Sequence, residues 1–186
     1  MRPQYLLAAI AATVAASPLS ALLPRAAVCV PPTTNADGLT GPFKIQVGDG
    51  SSFAGNYAGR IPKRVNYIVF QYSDPNKALV GNFYLDGNDN LRLVTQAGQT
   101  MYAYNVVPPR YIGLSPDPDI AGKITCTINQ TTCELNCVTA NGLSTDCLGS
   151  TKVSPEWRIG GPSVIRDACP AFTPVVVANT VASPLV

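Results

Sequence analysis

The chain of 186 residues contains no histidine. That absence excludes Ser-His-Asp and Cys-His nucleophilic triads, histidine-ligated zinc or copper, and imidazole acid–base catalysis. Charge is sparse as well, at 13% of the residues. Once Arg2 and Arg25 are set aside with the N-terminal leader, eleven basic residues face eleven acidic ones. Such a balance supplies neither the clustered Lys and Arg of a nucleic-acid footprint nor a polybasic membrane patch. No segment carries helical periodicity over the length a stable helix needs. Thr, Asn, Ser, Gly and Pro are abundant instead, a composition suited to a β-rich, turn-rich extracellular domain.

What is present begins at the N-terminus. Arg2 precedes the apolar run from Leu6 to Ala16, and Ser17-Pro18 follows it. A charged start, a short apolar core and small residues at the end read as a secretory signal peptide over residues 1–16, with cleavage after Ala16. The run is too short for a stable membrane anchor. Residues 17–25, ending at Arg25, are either a pro-segment or a disordered mature N-terminus. The rest is long enough for one domain with its own core, placed at 26–172, with a flexible tail at 173–186. The tail from Pro174 to Val186 is interrupted by Asn179, Thr180, Ser183 and Pro184. It therefore lacks the spacer and apolar length of a lipid-anchor signal and reads as a frayed or strand-like C-terminus.

Apolar/polar alternation predicts strands at Phe43–Val47, Leu79–Leu85, Leu91–Val94 and Thr100–Val106. Val65–Tyr72 is apolar on both faces and reads as a central strand. Lys123–Ile128 and Cys133–Val138 form a hairpin around Asn129-Gln130-Thr131-Thr132, and Pro155–Gly161 closes the set. Strands about ten residues apart, separated by turns, predict an all-β domain, trefoil-like or barrel-like, with a β-sandwich as the alternative.

Six cysteines, Cys29, Cys126, Cys133, Cys137, Cys147 and Cys169, imply three disulfides in an oxidising compartment. Cys29 and Cys169 flank the domain, and a bridge between them would be worth ~5 kcal/mol in the chain-entropy model. Cys126–Cys133 and Cys137–Cys147 are the expected remaining pairs. The Cys133-x-x-x-Cys137 spacing also permits zinc, but thiolate zinc sites belong to reducing compartments, and no metal or cofactor is expected.

With histidine absent, enzymatic chemistry would fall to carboxylates. Asp117 with Asp119, and Asp86 with Asp89, are the close pairs. Glycoside hydrolysis needs two carboxylates across a cleft, one with a raised pKa. Asp beside Pro or Gly is ordinary turn chemistry, so no catalytic residue is assigned. Asp86-Gly87-Asn88-Asp89-Asn90 lacks the ligand spacing and distal Glu of a calcium loop. Flat rings that could stack on sugars are Tyr57, Tyr102, Tyr104, Tyr111 and Trp157, with Tyr111 expected in a loop after Pro108-Pro109-Arg110; the competing role is core packing. Asn129-Gln130-Thr131 is an N-glycosylation sequon at a hairpin tip.

Several segments together, Gly41-Pro42-Phe43-Lys44-Ile45, Asn82-Phe83-Tyr84-Leu85-Asp86-Gly87 with Leu91-Arg92-Leu93, Cys133-Glu134-Leu135-Asn136-Cys137 and Trp157-Arg158-Ile159-Gly160, follow an Ala-rich leader. In this layout the chain resembles small secreted fungal proteins of the cell-wall and conidial-surface type. The resemblance implies an extracellular, wall-associated, non-enzymatic protein. The expected function is a structural or surface protein of the matrix or wall that binds polysaccharide. The alternatives are a secreted effector acting on a partner protein and a carboxylate-dependent glycoside hydrolase.

Overall fold

The computed structural model of the protein describes residues 29–61, 66–106, 111–149, 155–160 and 169–179. The expected signal peptide at 1–16 and the expected pro-segment at 17–25 lie outside them. Among the described residues every regular element is a β-strand. They are β1 (Thr40–Val47), β2 (Tyr57–Ile61), β3 (Asn66–Tyr72), β4 (Asn82–Leu85), β5 (Leu91–Val94) and β6 (Thr100–Val106). The second half holds β7 (Tyr111–Ser115), β8 (Thr125–Ile128), β9 (Leu135–Val138), β10 (Thr145–Gly149), β11 (Glu156–Gly160) and β12 (Pro174–Ala178). All pairings between these strands are antiparallel, and the large sheet is ring-like rather than two stacked layers.

Three sequence-local hairpins, β2–β3, β4–β5 and β6–β7, make up the ring. β5 joins β6, and β3 joins β7 at Asn66↔Leu114 and Tyr67↔Gly113. The third junction is made by the Gly59↔Val80 bridge and by the Gly81 N–H donating to the Ala58 carbonyl. Into each junction a further strand is wedged. β1 lies against both β2 and β4, at Gln46↔Tyr57 and Phe43↔Phe83. β11 lies against both β3 and β7, at Glu156↔Val69 and Arg158↔Tyr111. The residues entering β8 lie between β5 and β6, where the Leu91 N–H donates to the Ile124 carbonyl and the Ile124 N–H to that of Ala103. Each wedge is half of its own antiparallel pair: β1 with β12, β11 with β10, β8 with β9.

The alternation that marks these strands in the sequence places their apolar residues inside the ring. Ile68 and Phe70, Leu91 and Leu93, Met101 and Ala103, Ile112 and Leu114, and Trp157 and Ile159 are buried in one core. Strands β2, β7 and β10 are absent from the sequence reading, and each contains a glycine that a neighbouring side chain covers. Tyr72 lies over Gly59, Tyr104 over Gly113 and Arg158 over Gly149. A Cβ at Gly113 would stand 2.7 Å from Tyr104 Cε1, so only glycine admits the ring this close.

All six cysteines are disulfide-bonded, but none of the expected pairs forms. The bridges are Cys29–Cys133, Cys126–Cys137 and Cys147–Cys169. Cys126 and Cys137 are direct cross-strand partners of β8 and β9, and the Cys126 N–H points away from β9 to the Asp89 carbonyl. That is the close, non-hydrogen-bonded kind of pair, where side chains meet. Cys133 lies before β9 with a positive φ of 58° and turns to the N-terminal segment instead. Sequence proximity misleads here because register and turn conformation, not spacing, bring sulfurs together. The flexible-tail boundary also moves. Residues 174–178 form β12, paired with β1 over five positions from Phe43↔Ala178 to Val47↔Pro174, because Pro174 and Val176 bury apolar surface.

Candidate functional site

The outward positions of β3, β6 and β7 bring four tyrosines onto one face. Register places Tyr67 and Tyr104 on either side of Gly113. Tyr111 packs on Tyr67 with ring centroids 5.4 Å apart. Tyr102 follows two residues from Tyr104 on the same face of β6, with the Arg92 guanidinium 4.9 Å and the Lys123 ammonium 5.6 Å from its ring centre. All four tyrosines are half-buried. Tyr111 thus begins a strand rather than sitting in a loop. Burial raises the pKa of its hydroxyl, and Tyr104, Glu156 and Tyr67 add to the shift. Tyr67 is the member that sequence reasoning missed, since in an all-apolar strand its outward parity is not visible.

The other ring candidates lie elsewhere. Trp157 is fully buried, and its indole packs against Phe70 and Phe172. It is a core residue and not a stacking platform, because β11 points Trp157 and Ile159 inward. Tyr57 pairs with Tyr72, at the opposite end of β3 from Tyr67.

The carboxylates take separate roles. Asp117 and Asp119 lie in an exposed loop, where Asp117 Oδ1 accepts the Asp119 N–H. Asp86 Oδ1 accepts from the backbone of Asn88 and Asn90 and from the Asn90 amide, while Oδ2 accepts from Nε and Nη2 of Arg92. These bonds hold the turn into β5, and Asp89 beside it adopts φ 59°. Asp146 is buried, with Oδ1 accepting the Trp157 indole N–H at 2.6 Å. Desolvation pushes its pKa up to about 7, against the lowering effect of the Trp157 bond. Its nearest counterpart along the hairpin, Glu156, is on the outward parity of β11 and pairs with Arg158 at 2.9 Å. The desolvated carboxyl and its neighbour therefore occupy opposite faces of the sheet.

A concavity opens between β1, β2, β4, β5 and the 75–81 and 95–99 loops, with a volume of about 1070 Å³. Among the described residues its charged lining is cationic, from Lys44, Arg60 and Lys77. The sequon residue Asn129 is exposed at the β8–β9 tip, and its Oδ1 accepts the N–H groups of Thr131 and Thr132. No cluster of three or more potential metal ligands occurs among the described residues. The chain matches no family model, no curated protein and no solved structure.

Proposed function

We propose that this is a secreted structural or surface protein of an extracellular matrix or cell wall, non-enzymatic, glycosylated at Asn129, that binds polysaccharide through its tyrosine face. The observation that carries the reading is the convergence of Tyr67, Tyr102, Tyr104 and Tyr111 from three adjacent strands. Half-buried rings on a rigid sheet offer flat apolar surface at small entropic cost, with hydroxyls at the edge for hydrogen bonds. Of the flanking cations, Arg92 is paired with Asp86 and Arg158 with Glu156, which leaves Lys123, over Tyr102, as the flanking cation without an ion pair among the described residues. Three disulfides are the staples of a domain in an oxidising compartment and support the extracellular placement. Exposed large apolar side chains are scattered singly at Val30, Leu79 and Val138, so the described surface has no broad apolar patch of the kind that marks a protein partner.

The test is retention of the oxidised, glycosylated protein on insoluble chitin, β-glucan and cellulose. Retention on one of them is expected to survive salt and yield to its soluble oligosaccharide. Tyr102→Ala and Tyr111→Ala should each weaken it about fivefold, the equivalent of ~1 kcal/mol per ring. Absence of retention on all three polymers, or variants that bind like the parent, would overturn the reading.

A further inference from the structure

We infer that the cationic groove is a second binding site, which takes a carboxylate-bearing polysaccharide, a polyuronate. The inference rests on the reading above for the class of polymer and on the groove for its charge. Six basic residues lie among the described ones: Lys44, Arg60, Lys77, Arg92, Lys123 and Arg158. Arg92 and Arg158 are paired with acids, and Lys123 stands over Tyr102. The remaining three, from β1, β2 and the 75–81 loop, line this one concavity, and no described carboxylate stands in its wall. Lys44 is half-buried, and its ammonium donates to Asn82 Oδ1 at 2.6 Å, which Asn179 Nδ2 also approaches at 3.1 Å. Burial lowers the Lys44 pKa, as expected of a cation whose hydration is reduced and whose partner is a neutral amide. Arg60 reaches only the Met101 sulfur, at 3.7 Å. An anion in the groove would supply the charge that these side chains lack.

The rest of the lining argues for a sugar polymer over a small inorganic ion. The volume of about 1070 Å³ exceeds what a single oxyanion fills, and Asn76, Asn82, Gln96, Gln99 and Asn179 are among the lining residues. Amides donate and accept together, which matches the paired hydroxyls of a sugar ring. Tyr84, in the same lining, is the cross-strand partner of Arg92, which in turn pairs with Tyr102. One row of cross-strand partners therefore links the groove to the tyrosine face.

The full oxidised protein would be titrated with polygalacturonate and with its fully methyl-esterified form, which shares the backbone but carries no charge. The acid form is expected to bind at least tenfold more tightly at low salt, with the difference closing as salt rises. Lys44→Met combined with Lys77→Gln should erase the difference while leaving retention on the neutral polymer intact. Tyr102→Ala should do the reverse, so the two readings fail separately. Backbone amide shifts on adding the acid form to the unmodified protein should map to residues 76–82 and 95–99, which tests the site even if the double variant does not fold. Equal binding of acid and ester, shifts confined to other segments, or equal competition by inorganic polyphosphate would overturn the inference.

Discussion

Two aspartates with the same exposure, 8% each, sit in opposite electrostatic circumstances. Asp86, at the β4–β5 turn, gathers donors from Asn88, Asn90 and Arg92. Burial alone would raise its pKa, but these hydrogen bonds together outweigh it and hold the carboxyl below the usual range. Asp146, at the β10–β11 pair, has the Trp157 indole as its donor, and burial prevails. The deeper burial of the Asp146 carboxyl and the greater number and charge of the donors around Asp86 together decide which carboxylate stays ionised. One turn is thereby built around a charge, while the other hairpin is built around a proton.

The largest expected effect follows from Asp146. Its folded pKa of about 7 lies above the ordinary aspartate value of 3.8, so the folded state holds the proton longer than the unfolded chain. The stability this contributes is full below pH ~4 and is lost as pH rises to ~7, by up to ~4 kcal/mol. Urea midpoints measured from pH 4 to 8 should fall accordingly, and Asp146→Asn, which keeps an oxygen for the indole, should flatten the curve. A parent protein with a level profile over that range would break the comparison. Asp86 carries the opposite sign: its contribution is present above the ordinary aspartate value and is lost as pH falls through its lowered folded value. Asp86→Ala should cost about 2–3 kcal/mol at neutral pH, because Arg92 and the turn amides lose their acceptor. Equilibrium unfolding checks this, and a cost under ~0.5 kcal/mol would show the turn to be held by other contacts. The smallest effect belongs to Arg92→Lys, which keeps the charge but loses the two-pronged donation to Oδ2, at about 1 kcal/mol. Carboxyl NMR should show Asp86 titrating at higher pH in this variant, with Asp146 unmoved.

Much of this fold was legible in the sequence. Alternation at Phe43–Val47, Leu91–Val94 and Thr100–Val106 fell on strands β1, β5 and β6. The cysteine count implied three bridges, and three are present. What escaped was non-local. Strands β2, β7 and β10 look like loops because Gly59, Gly113 and Gly149 break the pattern, and only the neighbouring side chain explains each glycine. The disulfide map depends on the register of β8 with β9 and on the left-handed turn at Cys133. For the tyrosine face, Tyr102 and Tyr104 were readable as sharing a side, but joining them to Tyr67 and Tyr111 required the β3–β7 junction. Net charge near zero concealed the groove, since a balanced total says nothing about segregation: most of the described acids lie in turns and loops, while Lys44, Arg60 and Lys77 line one concavity.

Cys133 carries one more consequence. Its sulfur is bonded to Cys29, at the start of the described chain, and its carbonyl accepts the Val176 N–H from β12, near the end. A tension applied to the two ends would thus meet at one residue, passing through a covalent bond on one side and along the β1–β12 ladder on the other. Because β1 is paired with β2 and β4, part of that load enters the ring there, whereas β3, β6 and β7, which carry the tyrosines, pair with neither β1 nor β12. The consequence is a strain relief: a pull on the two ends loads the Cys29–Cys133–Val176 link before it reaches the strands that carry the tyrosines.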